Sequence, residues 1–126
     1  ALVTDVTHDT STPLVDKKEN GDIRCGKGPV ITVAPAVHNK LLQLVKDVAK
    51  KEKLDLQLSA ASRATGTDTD AFAYANGGIP SALISLPLRY MHTTVEMAHK
   101  KDIDDTIQLI FRFLKSFKPT FNFKYF

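Results

Sequence analysis

One segment constrains the fold of this chain more than any other: an apolar run over residues 79–87 that leads into Arg89-Tyr90-Met91-His92. It is the most apolar stretch of the sequence, and it predicts a central strand over residues 80–87. In an open α/β sheet the functional residues lie outside the carboxyl ends of the strands. A strand that ends in a histidine-bearing loop therefore predicts where the functional site lies as well as the fold.

A second short apolar run opens the sequence and predicts a strand over residues 1–7. It carries Asp5, which we place at the end of the run, and it is followed by His8. Carboxylate and imidazole groups are ligands for divalent metal ions such as zinc. If both strands end at one edge of the sheet, Asp5 and His92 lie close together as metal ligands. Two ligands do not complete such a site, and further carboxylates are candidates: Asp9, Asp68, Asp70 and Glu96.

The segments between these two runs predict alternating strands and helices. Residues 8–28 are polar and rich in Asp, Lys and Gly, which predicts a long loop, and residues 29–33 predict a second strand. Apolar residues at helical spacing predict an amphipathic helix over residues 37–52. Strict alternation of apolar and polar residues predicts a strand over residues 54–58.

Two more helices and an aromatic tail are predicted. Asp68 is expected to cap a short helix that glycines 77 and 78 end. Asp102 is expected to be the N-cap of a last helix, over residues 102–117, which packs on the strands through one apolar face: Ile103, Ile107, Ile110, Phe111, Leu114 and Phe117. The tail, residues 120–126, either packs on its own domain or reaches a neighbouring subunit. This order of strands and helices is that of an α/β fold.

Composition excludes several classes of protein. The chain has 126 residues, a net charge of +3 and no surface pattern that interleaves aromatic with basic residues, so no nucleic-acid partner is expected. A single cysteine, Cys25, excludes an internal disulfide, and we interpret it as a reduced structural thiol. No apolar run is long enough for a membrane span, and no signal peptide opens the chain, so a cytoplasmic setting is expected. Because there is no initiator Met and residues 1–3 already read as strand, we expect a fragment.

Several short motifs together resemble one protein family. They follow each other in the order and spacing of the TET-type dinuclear metalloaminopeptidases, the glutamyl and deblocking aminopeptidases formerly misread as cellulases. The resemblance covers nearly the whole chain except the tail. The motifs that carry it are Asp5-Val6-Thr7, Gly26-Lys27-Gly28-Pro29-Val30-Ile31, Gly66-Thr67-Asp68, and Ile84-Ser85-Leu86-Pro87-Leu88-Arg89-Tyr90-Met91-His92 through Val95-Glu96.

This resemblance implies a mixed sheet with flanking helices, the catalytic core of a zinc peptidase. Residues 1–126 would be the C-terminal part of the catalytic domain, without its N-terminal part and without the family's inserted β-barrel domain. The resemblance implies two divalent metal ions per site, zinc or cobalt, with Asp5 ligating one and His92 the other. Asp68 and Arg89 are implied as residues at the rim of the site, and the general base is implied to lie upstream.

The activity implied by the resemblance is removal of N-terminal residues from short peptides, in a parent protein that assembles as a homododecamer. The isolated chain is expected to be inactive. Two alternatives stay open: another metal-dependent hydrolase of this architecture, such as a carboxypeptidase or deacylase, or a non-catalytic α/β binding or assembly module. For Arg89, a contact to a substrate carboxylate or carbonyl and a structural ion pair are both open. His38 and His99 are expected to be structural or merely exposed.

Overall fold

The computed structural model describes residues 1–124, and within them it contains five strands and four α-helices. In chain order they are β1 (Leu2–His8), α1 (Lys17–Asn20), β2 (Val30–Val33), α2 (Asn39–Glu52), β3 (Gln57–Ala60), α3 (Asp68–Tyr74), β4 (Ala82–Arg89), β5 (Met97–Ala98) and α4 (Lys100–Ser116). A short 3-10 turn, Ala75–Gly77, follows α3. The predicted α/β fold is confirmed.

Strand β4 is the centre of a mixed sheet with the order β1-β4-β2-β3. On one side it runs parallel to β1, from the pair Leu2–Ala82 to the pair His8–Leu88. On the other side it runs antiparallel to β2, which in turn runs parallel to β3. The two-residue β5 pairs antiparallel with the end of β4. Six of the eight β4 residues are buried, as the most apolar run of the sequence predicts.

Helices α2 and α4 pack against each other and against β4. The helical spacing predicted for α2 is confirmed: Leu41, Leu42, Val45 and Ala49 are its buried residues. The helix begins after His38, whose Nδ1 accepts a hydrogen bond from the Leu41 N–H at 3.4 Å. The other ring nitrogen of His38, Nε2, donates to the Phe123 carbonyl at 2.8 Å. His38 is therefore a structural residue that caps α2, as expected.

The start of α4 differs from the prediction. The helix begins at Lys100, and its N-cap is His99, whose Nδ1 accepts from the Lys101 N–H at 3.2 Å. Asp102 lies inside the first turn, is fully buried, and binds backbone groups elsewhere in the chain. The prediction that Asp102 caps this helix was wrong because its carboxylate has stronger, non-local partners.

The prediction of which residues of α4 pack on the strands was also wrong. Leu109, Phe113 and Asp102 are the buried residues of the helix. Of the six residues predicted for the buried face, Ile110 is half-buried. The other five are exposed: Ile103, Ile107, Phe111, Leu114 and Phe117. The helix carries two neighbouring apolar stripes, and periodicity alone does not tell which of them faces the sheet.

Smaller differences concern element boundaries. The alternating segment at 54–58 forms its strand later, at Gln57–Ala60, because β3 is aligned by its pairing with β2. The loop predicted over 8–28 contains the short helix α1, and β5 was not predicted. Helix α3 is capped by Thr67, whose Oγ1 accepts from the Thr69 N–H at 3.2 Å, and not by Asp68. The hydroxyl of Thr67 reaches the free N–H groups first because Asp68 is already helical.

The aromatic tail packs on its own domain as far as it is described. Phe117, Phe121 and Phe123 form a cluster of stacked and T-shaped rings, and Phe123 also lies against the ring of His38. Lys40 donates to the Lys124 carbonyl. Residues 125 and 126 of the predicted arm lie outside the described residues. None of the helices within residues 1–124 is long and apolar enough to cross a membrane.

Candidate functional site

The parallel pairing of β1 and β4 brings the carboxyl ends of the two strands to the same edge of the sheet. His8 is the last residue of β1 and lies opposite Leu88. The imidazole rings of His8 and His92 lie edge to face there, with centroids 6.5 Å apart and an interplanar angle of 73°. The strand-end histidine predicted from the sequence therefore lies beside a second histidine that comes from the neighbouring strand.

The sequence predicts Asp5 at the end of its strand, and this prediction is wrong. Asp5 lies in the middle of β1, opposite Ser85, because pairing with β4 continues for three more residues to His8. Three residues of strand correspond to about 10 Å along the sheet. Its side chain is exposed, and Oδ1 accepts from the Val6 N–H at 2.7 Å. Asp5 is thus set back from the edge where the two histidines lie.

The loop that presents His92 has an unusual backbone. Tyr90 and His92 both have positive φ angles, 55° and 65°, which residues other than glycine rarely adopt. The conformation is held by two contacts: Glu96 Oε1 accepts from the His92 N–H at 2.5 Å, and the Tyr90 carbonyl accepts from the Thr93 N–H at 3.2 Å. Backbone strain of this kind concentrates at functional sites. Glu96, a candidate ligand, is thereby engaged in shaping the loop.

The chemistry of these side chains fits a divalent metal, although the set is incomplete. The Nδ1 atom of His8 is buried and has no hydrogen-bond partner within residues 1–124. Two imidazoles and an exposed carboxylate, Asp5, are the donor types that zinc and cobalt take. No group of three or more His, Cys, Asp or Glu side chains in the described part of the chain is arranged to hold a metal. Residues 1–124 therefore contain no complete metal site.

Asp9, another candidate ligand, has a different task. Its carboxylate is buried, and it accepts from the Ser11 N–H at 2.6 Å and from the Cys25 N–H at 2.8 Å. Burial would raise the pKa of Asp9, but the hydrogen bonds from Ser11 and Cys25 outweigh it and hold the pKa below its ordinary value. Both oxygens are in use, so Asp9 fastens the loop after β1 and is not a free ligand.

The Gly66-Thr67-Asp68 loop is organised by Asp70. Its carboxylate accepts from the N–H groups of Thr65 and Gly66, each at 2.9 Å. Burial would raise the pKa of Asp70, but these backbone hydrogen bonds lower it overall. Asp68 is exposed at the start of α3 and makes no side-chain hydrogen bond among the described residues. The loop thus holds Asp68 out toward solvent while Asp70 supports the backbone beneath it.

Arg89 has no ion pair within residues 1–124. Its Nε is buried without a partner, its Nη2 donates to the Tyr90 hydroxyl at 3.4 Å, and its Cζ lies 5.2 Å from the centre of the Tyr90 ring. It borders a cavity of about 320 Å³ together with Asp9, Arg24, Cys25 and His99. Two interpretations of Arg89 were open, a contact to substrate and a structural ion pair. No carboxylate within residues 1–124 forms that ion pair.

A larger open cleft of about 750 Å³ crosses the face of the sheet that carries Ser85. It extends from Thr7 of β1, two residues after Asp5, to Thr67, directly before Asp68. Hydroxyl groups line it, and those of Thr32 and Ser59 are hydrogen bonded at 2.9 Å. The cleft therefore runs from the chain neighbours of Asp5 to those of Asp68, while Asp5, Asp68, Arg89 and His92 themselves do not line it.

Sequence reasoning missed the residue that anchors the glycine-rich loop. The Asp102 carboxylate accepts from the Gly26 N–H at 2.6 Å and from the Gly28 N–H at 2.8 Å. Gly28 has a φ of +86°, and a Cβ there would lie 2.4 Å from the Asp55 carbonyl oxygen. The two glycines of the Gly-Lys-Gly motif are a sequence signal for a tightly held loop. The residue that holds the loop, Asp102, is 74 positions after Gly28 and cannot be recognised from the motif.

Comparisons with known proteins agree with one another. A family model described as M42 glutamyl aminopeptidase matches residues 1–109. The lysyl aminopeptidase of Pyrococcus furiosus is 43% identical over 94 residues, which are 75% of this chain and 27% of that protein. An aminopeptidase from the archaeon Desulfurococcus kamchatkensis superimposes with a TM-score of 0.83 at 31% identity, over 94% of this chain and 34% of that one.

Two TET structures are also similar. A TET aminopeptidase from a marine sediment Thaumarchaeota archaeon gives a TM-score of 0.81 at 27% identity, over 94% of this chain and 33% of that one. PhTET1-12s, whose structure is described as a dodecamer, gives a TM-score of 0.65 at 27% identity, over 91% of this chain and 32% of that one. The chain thus spans between about a quarter and a third of the length of the proteins it matches.

Proposed function

The chain belongs to the M42 glutamyl aminopeptidase family, and we propose that the protein of which it is part removes N-terminal residues from short peptides with the help of divalent metal ions. One observation carries the proposal: the His8 and His92 rings meet at 6.5 Å at the carboxyl edge of the parallel pair β1–β4. This edge is where α/β enzymes carry their reactive groups. Residues 1–126 would be the C-terminal part of the catalytic domain.

Asp5 and His92 are the residues we propose to hold metal, one ligand for each of two ions, zinc or cobalt. The exposed carboxylate of Asp5 and the positive φ angle of His92 support this assignment. When bound, a divalent metal polarises the scissile carbonyl. Glu96 fixes the backbone of His92, because its Oε1 accepts a hydrogen bond from the His92 N–H.

Asp68 and Arg89 are proposed as rim residues, with the peptide lying along the open cleft. Support comes from the position of Asp68 beside Thr67 at the end of that cleft. Arg89 carries a guanidinium without a carboxylate partner in residues 1–124, so a substrate carbonyl or carboxylate can take that place. A cytoplasmic setting and a homododecameric assembly are parts of the same proposal, the latter supported by the similarity to PhTET1-12s.

Peptides blocked at either end test the proposed activity in the full-length protein that carries this sequence. Release of the first residue from a free peptide, and no release from its N-acetylated form, is expected for an aminopeptidase. Release only from the other end would show a carboxypeptidase, and no hydrolysis with added zinc or cobalt would favour a non-catalytic module. Asp5→Asn and His92→Gln should each lower kcat/KM by at least about a hundredfold. The surface control Asp47→Asn should leave it unchanged.

Metal binding can be tested on the chain as it stands. Because no group of three or more candidate ligands lies together in residues 1–124, zinc is expected to bind weakly, with a dissociation constant on the order of millimolar. In a zinc titration followed by NMR, the Cε1–H resonances of His8 and His92 should shift, while those of His38 and His99 serve as internal controls. Tight, stoichiometric binding would contradict the ligand count, and an unshifted His92 would contradict its assignment.

A further inference from the structure

The segment between β4 and β5, residues 90–96, is a closed loop that carries His92. Its two ends are held together by the antiparallel pair Arg89–Met97, so the chain leaves the sheet and returns to it at one place. Ordering the backbone of such a loop costs conformational entropy. Contacts within the loop therefore decide where the His92 imidazole lies.

The first of these contacts closes a turn over residues 90–93. The Thr93 N–H donates to the Tyr90 carbonyl at 3.2 Å, which makes His92 the third residue of the turn. Of the two central residues, Met91 and His92, only His92 has a positive φ, 65°. This is the pattern of a type II turn, whose third residue is usually glycine or asparagine. A histidine keeps this conformation only if other contacts support it.

Glu96 provides such a contact. The N–H of the third residue takes no part in the hydrogen bond that closes the turn, and here it donates to Glu96 Oε1 at 2.5 Å. Hydrogen bonds to a carboxylate are shorter and about twice as strong as those between neutral groups. Glu96 therefore binds the residue of the turn whose backbone conformation is least favourable.

The hydroxyl group of Thr93 links the turn to the segment that carries Glu96. Its Oγ1 donates to the Tyr90 carbonyl at 2.6 Å and accepts from the Val95 N–H at 3.2 Å. Val95 is thereby held directly before Glu96. All of these hydrogen bonds join residues of the loop itself, so the network around His92 is complete within residues 90–96.

We propose, on the basis of the proposed role of His92 as a metal ligand, that Glu96 is a positioning residue for it. The Glu96 carboxylate acts through the His92 backbone and holds the imidazole where metal binds. Positioning needs only an oxygen that accepts a hydrogen bond, whereas direct ligation by Glu96 would need its negative charge as well. The two roles therefore predict opposite results for Glu96→Gln.

Hydrogen exchange of single amides, followed by NMR on the metal-free 126-residue chain, tests the contact itself. Glu96→Ala should speed exchange of the His92 amide at least about tenfold, because a hydrogen bond to a charged group is lost. Glu96→Gln should keep it within about threefold of the parent, since an amide oxygen accepts the same bond. The matched control Asp47→Ala removes another exposed carboxylate, which accepts from Gln43 at 2.9 Å, and should have no effect on the His92 amide.

Nuclear Overhauser contacts between the imidazoles of His8 and His92 report the position of the ring. They are expected in the parent, whose ring centroids lie 6.5 Å apart, and in Glu96→Gln, and they should weaken in Glu96→Ala. Melting curves verify that each variant is folded, and a change confined to the loop and His8 distinguishes positioning from a loss of stability. A Glu96→Ala variant with unchanged exchange and an unchanged ring contact overturns the proposal.

Zinc affinity of the full-length protein, measured by competition with a chelator, tests the consequence. Removing a residue that supports a metal ligand typically weakens metal binding about 10- to 100-fold. Glu96→Ala should show a loss of this size, and Glu96→Gln should stay within about threefold of the parent. Equal losses in both variants would identify Glu96 as a ligand and overturn the positioning role.

The same measurements separate this role from the proposed activity, because none of them requires hydrolysis. A parent protein that shows the expected zinc affinities but releases no N-terminal residue contradicts the aminopeptidase activity and supports the role of Glu96. A parent protein whose His92 binds no zinc overturns both.

Discussion

Asp102 and Gly28 are 74 positions apart in the sequence, and the Gly28 N–H donates to Asp102 Oδ1 at 2.8 Å. The second oxygen of the same carboxylate accepts from the Gly26 N–H at 2.6 Å. Since Asp102 is fully buried, these two backbone donors replace the water that a carboxylate otherwise binds. The pair fastens the loop before β2 to the first turn of α4.

Asp102→Asn is expected to destabilise the fold by about 2–3 kcal/mol, the usual worth of a buried hydrogen bond to a charged group. The new amide keeps the shape of the side chain but turns an NH₂ group toward a backbone N–H. Urea denaturation followed by circular dichroism measures the loss. Asp104→Asn, at an exposed position of the same helix, should stay within about 0.5 kcal/mol of the parent. Equal stability of the two variants would show that the Asp102 contacts contribute little.

Gly28→Ala is expected to cost about 3 kcal/mol or more, because two penalties combine there. A φ of +86° is unfavourable for alanine, and the new Cβ would lie 2.4 Å from the Asp55 carbonyl oxygen. Gly66→Ala separates the two effects: its φ is +72°, and no atom lies within 4 Å of the new Cβ. That variant should lose only about 1–2 kcal/mol. Thermal melts of both variants measure the difference, and similar losses would argue that Asp55 moves aside.

The stability of the fold should depend on pH through Asp9. Its pKa is held below the ordinary value because the hydrogen bonds from Ser11 and Cys25 outweigh its burial. A carboxyl group with a depressed folded-state pKa contributes its full stabilisation above its unfolded pKa, about 3.9, and loses it as the pH falls through the folded pKa. The free-energy difference between the parent and Asp9→Asn should therefore be constant above about pH 5 and shrink below about pH 4. A difference that stays constant down to pH 2 would contradict this role.

Cys25 should react slowly with thiol reagents in the folded chain. Burial, together with the hydrogen bond and negative charge of Asp9, raises its pKa to about 12. Only the thiolate reacts, so at pH 8 the folded chain should be at least about a hundredfold slower than the chain in urea. Stopped-flow labelling with a disulfide reagent compares the two states directly. Equal rates would indicate that the loop around Cys25 opens freely.

Elements whose formation depends only on residues close in the sequence could be predicted from it. The burial of β4 follows from its own apolar residues, and α2 follows from the spacing of Leu41, Val45 and Ala49. The same holds for His92, since the end of an apolar strand can be recognised without its partners. The element order, and hence the α/β fold, followed from such local patterns.

Features that depend on distant partners could not be predicted in this way. Asp102 has the sequence context of a helix cap, but Gly26 and Gly28 compete for its carboxylate from more than 70 positions away. Asp5 lies inside β1 because β4 extends the pairing to His8, which residues 1–8 alone do not indicate. On α4 both apolar stripes have helical spacing, and only the position of the sheet decides which one is buried.

The pairing of β1 with β4 also has a consequence for how the chain folds. Leu2 pairs with Ala82, 80 positions later, whereas Val30 pairs with Gln57 after 27. Closing the longer loop costs more chain entropy and slows folding, so β1 is expected to join the sheet last. His8 reaches His92 only at that step. The close approach of these two imidazoles is therefore expected to be among the last contacts to form during folding.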